Sequence, residues 1–117
     1  MTSPQRIEAL SNILSDSIEG AINYWAGIES VEKEDAPDDV LGWRYKSAVI
    51  VDYEDGKKYT IDLGTVRKGI NMLCKREGNR WDALRKYNKT NGYDGDYDAF
   101  DCDAIIQYAL FGSLVYA

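Results

Sequence analysis

Two short runs of alternating apolar residues, Trp43 to Val51 and Tyr59 to Leu63, flank the acidic, glycine-ended segment Glu54-Asp55-Gly56. Such a pair reads as a β-hairpin, and its register is restricted because a one-residue slip moves every side chain to the opposite face. A two-residue turn at Asp55-Gly56 sets Val51 opposite Thr60 and mixes the faces. A three-residue loop, Glu54-Asp55-Gly56, pairs Val51 with Tyr59 and Val49 with Ile61, and leaves Asp52 and Lys58 as a surface pair. That loop needs a left-handed residue, which Gly56 supplies. The hairpin is expected to be one-sided, with Val49, Val51, Tyr59 and Ile61 buried and Arg44, Lys46, Asp52 and Lys58 on the polar face.

Helical periodicity surrounds the hairpin. Ser3-Pro4 reads as an N-cap and first helical residue, and Ile7, Leu10, Leu14, Ile18, Ala21, Ile22 and Trp25 form one apolar face ending near Gly27. Gly20 inside that helix suggests close approach of another backbone. Residues 28–42 are acidic, contain Pro37 and Gly42, and read as a mobile loop. Gly64-Thr65 opens a second helix, carrying Val66, Ile70, Leu73 and Cys74 inward and closed by Gly78. A short helix spans Arg80 to Lys89. The segment 91–100 is acidic and turn-rich. A last helix from about Asp101 through Val115 is apolar nearly all round, which makes it either the centre of the core or half of an oligomer interface. The expectation is a single α+β domain over residues 1–117, an antiparallel hairpin or small sheet packed against about four helices. The apolar surplus of the last helix predicts a homo-oligomer.

Composition removes several kinds of chemistry. Histidine is absent, and with it the commonest general base and neutral metal ligand. No hydrolase, nucleotide-loop, dinucleotide or zinc motif is present. Cys74 and Cys102 sit in apolar helical patterns and read as buried free thiols. No apolar run is long enough to span a membrane, and Met1-Thr2-Ser3-Pro4 has no signal-peptide pattern, so a cytoplasmic protein is expected. Net charge is −6, unevenly spread: −8 over residues 1–56, +7 over 57–92 and −5 over 93–117. The basic stretch contains Trp81 and Tyr87, a combination that can hold nucleic acid. Its plainer reading is a solvated face answering the chain's own acidic segments, and the overall acidity disfavours a polyanion.

Two clusters could carry a ligand. Asp94, Asp96 and Asp98 open like a calcium loop, but the sixth position is Ala99 and the twelfth Ile105, where glycine and glutamate belong. Helix capping by Asp98 or Asp101, with Asp103 in the first turn, is the better reading, and no cofactor is expected. Asn23 and Tyr24 stand off the apolar stripe at the end of the first helix. With Arg44 and Tyr45 at the polar edge of the hairpin, they are the candidate ligand-binding residues.

Three blocks carry a resemblance: Glu19-Gly20-Ala21-Ile22-Asn23-Tyr24-Trp25-Ala26, Tyr59-Thr60-Ile61-Asp62-Leu63 and Ala109-Leu110-Phe111-Gly112-Ser113-Leu114-Val115-Tyr116. They resemble a family of small uncharacterised proteins of tailed bacteriophages, which commonly have a second glycine where this chain has Ala21 and a final glycine where it has Ala117. The resemblance implies an accessory protein acting in the cytoplasm of a bacterial host, with no catalytic residues to carry over. The resulting expectation is a non-enzymatic counter-defence protein that sequesters a small nucleotide-type signal or blocks a host defence protein. An acidic mimic of nucleic acid and a divalent-metal-binding domain using the aspartates are the alternatives.

Overall fold

Ser3 and Pro4 begin helix α1 (Pro4–Asp16) as their types dictate: the Ser3 hydroxyl accepts the Arg6 amide at 3.2 Å and proline takes the first turn. The computed structural model describes residues 3–117; Met1 and Thr2, part of the segment read for a signal peptide, lie outside the described residues. Helix α1 does not run to Gly27. It widens into a π-helical turn at Ser17–Ala21 and stops at Ile22. The buried Ser17 hydroxyl donates back to the Ile13 carbonyl at 2.7 Å, a bond that competes with regular helix. Gly20 lies in this turn with nothing near the place of a Cβ, so it does not mark a close backbone contact.

The segment read as a mobile acidic loop contains a strand. β1 (Ala26–Asp35) pairs antiparallel along its length with β2 (Trp43–Asp52), and β2 pairs with β3 (Lys58–Asp62), giving the order β1-β2-β3. The acidic residues of β1 are answered across the sheet: Glu34 meets Arg44 at 2.7 Å, Glu32 meets Lys46 at 3.9 Å and Glu29 meets Lys58 at 2.7 Å. β1 is an edge strand, where charged side chains are the rule rather than a sign of loop.

The hairpin exists, but its register is one residue away from the expected one. Ile50 faces Tyr59 and Ala48 faces Ile61, while Val49 lies opposite Thr60 and Val51 opposite Lys58. Ala48, Ile50 and Ile61 are the buried residues, and Val49 and Val51 lie on the outer face. The cause is a β-bulge: Ser47 pairs with Glu32 and Tyr45 with Lys33, so Lys46 is an extra residue on β2. An alternation counted from Trp43 and Tyr45 therefore reaches the wrong face after Lys46. Gly56 is left-handed as expected (φ 72°), but the turn is longer, with the Gly56 amide bonded to the Asp52 carbonyl at 2.8 Å and the Asp52 amide to the Lys57 carbonyl at 2.9 Å. Asp52 is accordingly buried at 2% exposure and is not a surface partner of Lys58.

β3 runs straight into α2 (Leu63–Cys74), whose N-terminus is closed by reciprocal bonds between Asp62 and Thr65. After α3 (Asp82–Lys89), Asp98 and Asp101 form the same kind of box at the start of α4 (Ala99–Phe111). Every residue from Asp101 to Gln107 is buried. α4 is the central element of the core. It ends at left-handed Gly112 (φ 76°), so Leu114 and Val115 belong to an extended tail, not to the helix. α2 crosses α4 so closely that a Cβ on Gly69 would lie 2.0 Å from the Ile105 carbonyl oxygen. The result is an α+β domain, with no described helix long and apolar enough to cross a membrane.

Gly69→Ala should therefore destabilise the domain by about 3 kcal/mol, since backbone must move to admit the methyl. Gly20→Ala, into open space, should be neutral or stabilising by up to about 1 kcal/mol. Urea denaturation of both variants checks the contrast; equal effects would contradict the close α2–α4 contact.

Candidate aromatic–carboxylate site

Asp103 and Gln107 are one turn apart on α4 and share a face. That face meets the chain where it enters β1. Asp103 Oδ1 accepts the Trp25 indole N–H at 2.8 Å and the Gln107 side-chain amide at 2.9 Å, and Oδ2 accepts the Tyr24 hydroxyl. Gln107 also grips the tail. Its Oε1 accepts the Val115 and Tyr116 amides at 2.8 and 2.9 Å, and its Nε2 donates to the Tyr116 carbonyl at 3.1 Å. A fully buried glutamine is costly unless its amide is satisfied, and here both ends are.

The grip lays the Tyr116 ring on Trp25, nearly parallel with centroids 5.2 Å apart. Phe111 meets Trp25 and Tyr59 edge-on, at 5.6 Å in each case. The Tyr116 hydroxyl donates to Asp52 Oδ2 at 2.6 Å, and Asp52 Oδ1 accepts the Glu54 amide at 2.8 Å. An aromatic cluster is thus held between two buried carboxylates, Asp103 from α4 and Asp52 from β2.

Above it lies an open groove of about 300 Å³ lined by Tyr24, Trp25, Tyr53, Glu54, Tyr116 and Ala117. Tyr24 and Tyr53 are 52% and 63% exposed. Tyr53 can lie over β1 because Gly27 has no side chain; a Cβ there would stand 3.1 Å from the ring. The field in the groove is negative. Desolvation and the bond to Asp103 push the Tyr24 phenol up to about 12. The bond to Asp52 raises that of Tyr116, with Glu54 and Asp55 adding to it. Burial alone would lift the Asp52 carboxyl, but the Tyr116 hydroxyl, two backbone amides and nearby Lys57 outweigh it and hold it below the usual carboxylate range.

Of the four residues singled out from sequence, Tyr24 lines this groove and Asn23 is exposed beside it. Arg44 and Tyr45 are not part of it. They lie at the far end of β2, about eight residues or roughly 26 Å from Asp52 at strand spacing. Arg44 is held by two bonds to Glu34 at 3.1 and 2.7 Å, and Tyr45 packs inward against the core. The aspartates of the calcium-like run serve local backbone instead. Asp94 accepts the Gly95 amide, Asp96 the Tyr97 amide and Asp98 the Asp101 amide. Among the described residues no three potential metal ligands converge. Both cysteines are free, and burial pushes the Cys102 thiol up to about 12. In the basic stretch Lys58, Arg80 and Arg85 pair with carboxylates of the same chain. A second cavity of about 370 Å³, between α1 and residues 90–93, has Glu8 as its one charged lining residue.

The roles of Asp52, Asp103 and Tyr116 were not visible in the sequence, since each is defined by contacts more than sixty residues away. Asp52 has a clear consequence. A carboxyl held below its unfolded value contributes stability that is complete above about pH 4 and is lost as pH falls through the folded value. Wild type should thus lose more stability than Tyr116→Phe between about pH 5 and pH 2. Denaturation midpoints across that range check this, and parallel profiles would show that the Tyr116–Asp52 bond is not what holds the carboxyl down.

No protein-family model, no curated protein and no solved structure matches the chain.

Proposed function

We propose that the protein is a non-enzymatic binding protein that blocks a host protein, and that it acts as a phage accessory factor against host defence in the bacterial cytoplasm. The phage setting comes from the sequence resemblance. The binding mode is supported by one observation: two tyrosine rings, both more than half exposed, line one groove whose underlying rings are fixed by buried carboxylates. Tyrosine offers large contact area with few torsions to freeze, which is why it is enriched where proteins meet. The carboxylates are engaged by the chain's own hydroxyl and indole donors, an arrangement suited to holding a surface in place.

The groove favours a host protein over a nucleotide-type signal. Asp52, Glu54, Asp55 and Asp103 surround it, and a phosphate brought there would meet like charge. An acidic mimic of nucleic acid is favoured less, because Glu29, Glu32 and Glu34 on β1 are interrupted by cross-sheet cations. The homo-oligomer expected from the sequence is tested by sedimentation at tens of micromolar, where a monomer counts against it.

Affinity purification of the tagged protein from infected bacterial cells, with quantitative mass spectrometry, tests the reading. The wild-type chain should enrich a host protein by about tenfold or more over Tyr53→Ala/Glu54→Lys, two exposed substitutions that leave the buried network intact. Identical recoveries with both chains would refute it.

A further inference from the structure

We propose that the Tyr24–Tyr53–Tyr116 groove is a guanidinium site, taking an arginine side chain presented by the protein it binds. This deepens the reading given above and rests on it for the source of the arginine, but the chemistry stands on the groove alone.

The same chain contains an occupied version of such a site. The Arg80 guanidinium lies over Trp81 at 4.3 Å and Phe100 at 4.9 Å and donates to buried Asp101 at 3.0 Å. Lys33 stands over Trp43 at 4.0 Å, and Arg76 over Tyr108 at 5.4 Å. A cation over an aromatic face thus recurs in this molecule, and at Arg80 a buried carboxylate stands beside it. The groove has the same ingredients and lacks the cation. Among the described residues, no lysine or arginine lies over Tyr24, Tyr53 or Tyr116, and no ion pair uses Asp52, Glu54, Asp55 or Asp103.

The rings are also prepared for a cation. A phenol that donates its proton to a carboxylate pushes electron density into its ring, and Tyr24 and Tyr116 both do so, to Asp103 and Asp52. That deepens the negative face on which a cation sits. Glu54 at the rim is exposed and, among the described residues, in no ion pair, so its carboxylate can form a two-point bond with a planar guanidinium. Lys57 stands near Asp52, and Glu54, Asp55 and Asp103 are the acidic groups around the rings. A guanidinium suits the groove better than an ammonium, because it is planar, weakly hydrated and able to stack on a ring while hydrogen-bonding at its edge.

Nitrogen-15 NMR of the full chain, titrated with a blocked arginine tripeptide and with its citrulline counterpart, tests this. Citrulline keeps the shape and removes the charge. Arginine should give saturable shifts around Tyr24, Gly27, Tyr53 and Glu54 at ligand concentrations on the order of millimolar, and citrulline should bind at least about fivefold more weakly. Tyr53→Ala and Glu54→Gln should each weaken arginine by about threefold or more. Equal shifts with citrulline, shifts centred elsewhere, or tighter binding of inorganic phosphate would each overturn the proposal. The comparison of the two peptides needs no variant, so a folding defect cannot obscure it. Arginine binding without any enriched host protein would leave this site standing and remove the host-protein reading. A host protein captured through Tyr53 with no preference over citrulline would do the reverse.

Discussion

The carboxylate of Asp103 is the point on which the rest of this structure depends. It sits at 4% exposure on the central helix and receives three donors from two different regions of the chain: Trp25, Tyr24 and Gln107. A buried carboxylate with all its bonds made is stable; one with a bond missing carries the full cost of its lost hydration. The network therefore favours one arrangement in which helix α4, the entry to β1 and the tail are all in place. Removing Asp103 would leave an indole N–H unpaired under the sheet and the Gln107 amide without its anchor. The aromatic cluster is apolar material organised by that polar arrangement.

Local signals in the sequence were legible where local physics decides. Ser3 and Pro4 start α1, Asp98 with Asp101 caps α4, and Gly56 takes the left-handed position in the hairpin, because each is settled within a few residues. The α+β class follows from the same signals. What escaped were features decided by distant partners. β1 is acidic, and its cations lie on β2 and β3, so composition alone could not distinguish a paired edge strand from a solvated loop. The hairpin register turned on Lys46: one extra residue reverses the parity of everything beyond it, and the run Ala48-Val49-Ile50-Val51 is apolar on both faces and gives no warning.

The candidate site was half visible for a related reason. Tyr24 stands off the apolar stripe, which drew notice to it, and the structure sets it at the groove. Arg44 and Tyr45 lie at the other end of β2, away from this groove. Asp103 was read as a first-turn carboxylate facing the helix dipole, a plausible role for any aspartate there, whereas its true partners are nearly eighty positions earlier. Gln107 is a polar residue in a helix that is otherwise apolar nearly all round. An isolated polar residue in such a setting, with no surface to reach, is itself a signal of a buried bond, and that signal was available.

The central position of α4 also bears on how the chain assembles. Synthesis proceeds from the N-terminal end, so α1, the three strands and α2 are all made before the helix that fills the space between them. Trp25 has no carboxylate to bond until the chain has grown by a further 78 residues. Through that interval the hairpin and α1 have an incomplete core, and the α2 surface around Gly69 has nothing to lie against. The buried network therefore closes only after Asp103, Gln107 and Tyr116 have all been made, and the tail then lies back across the indole.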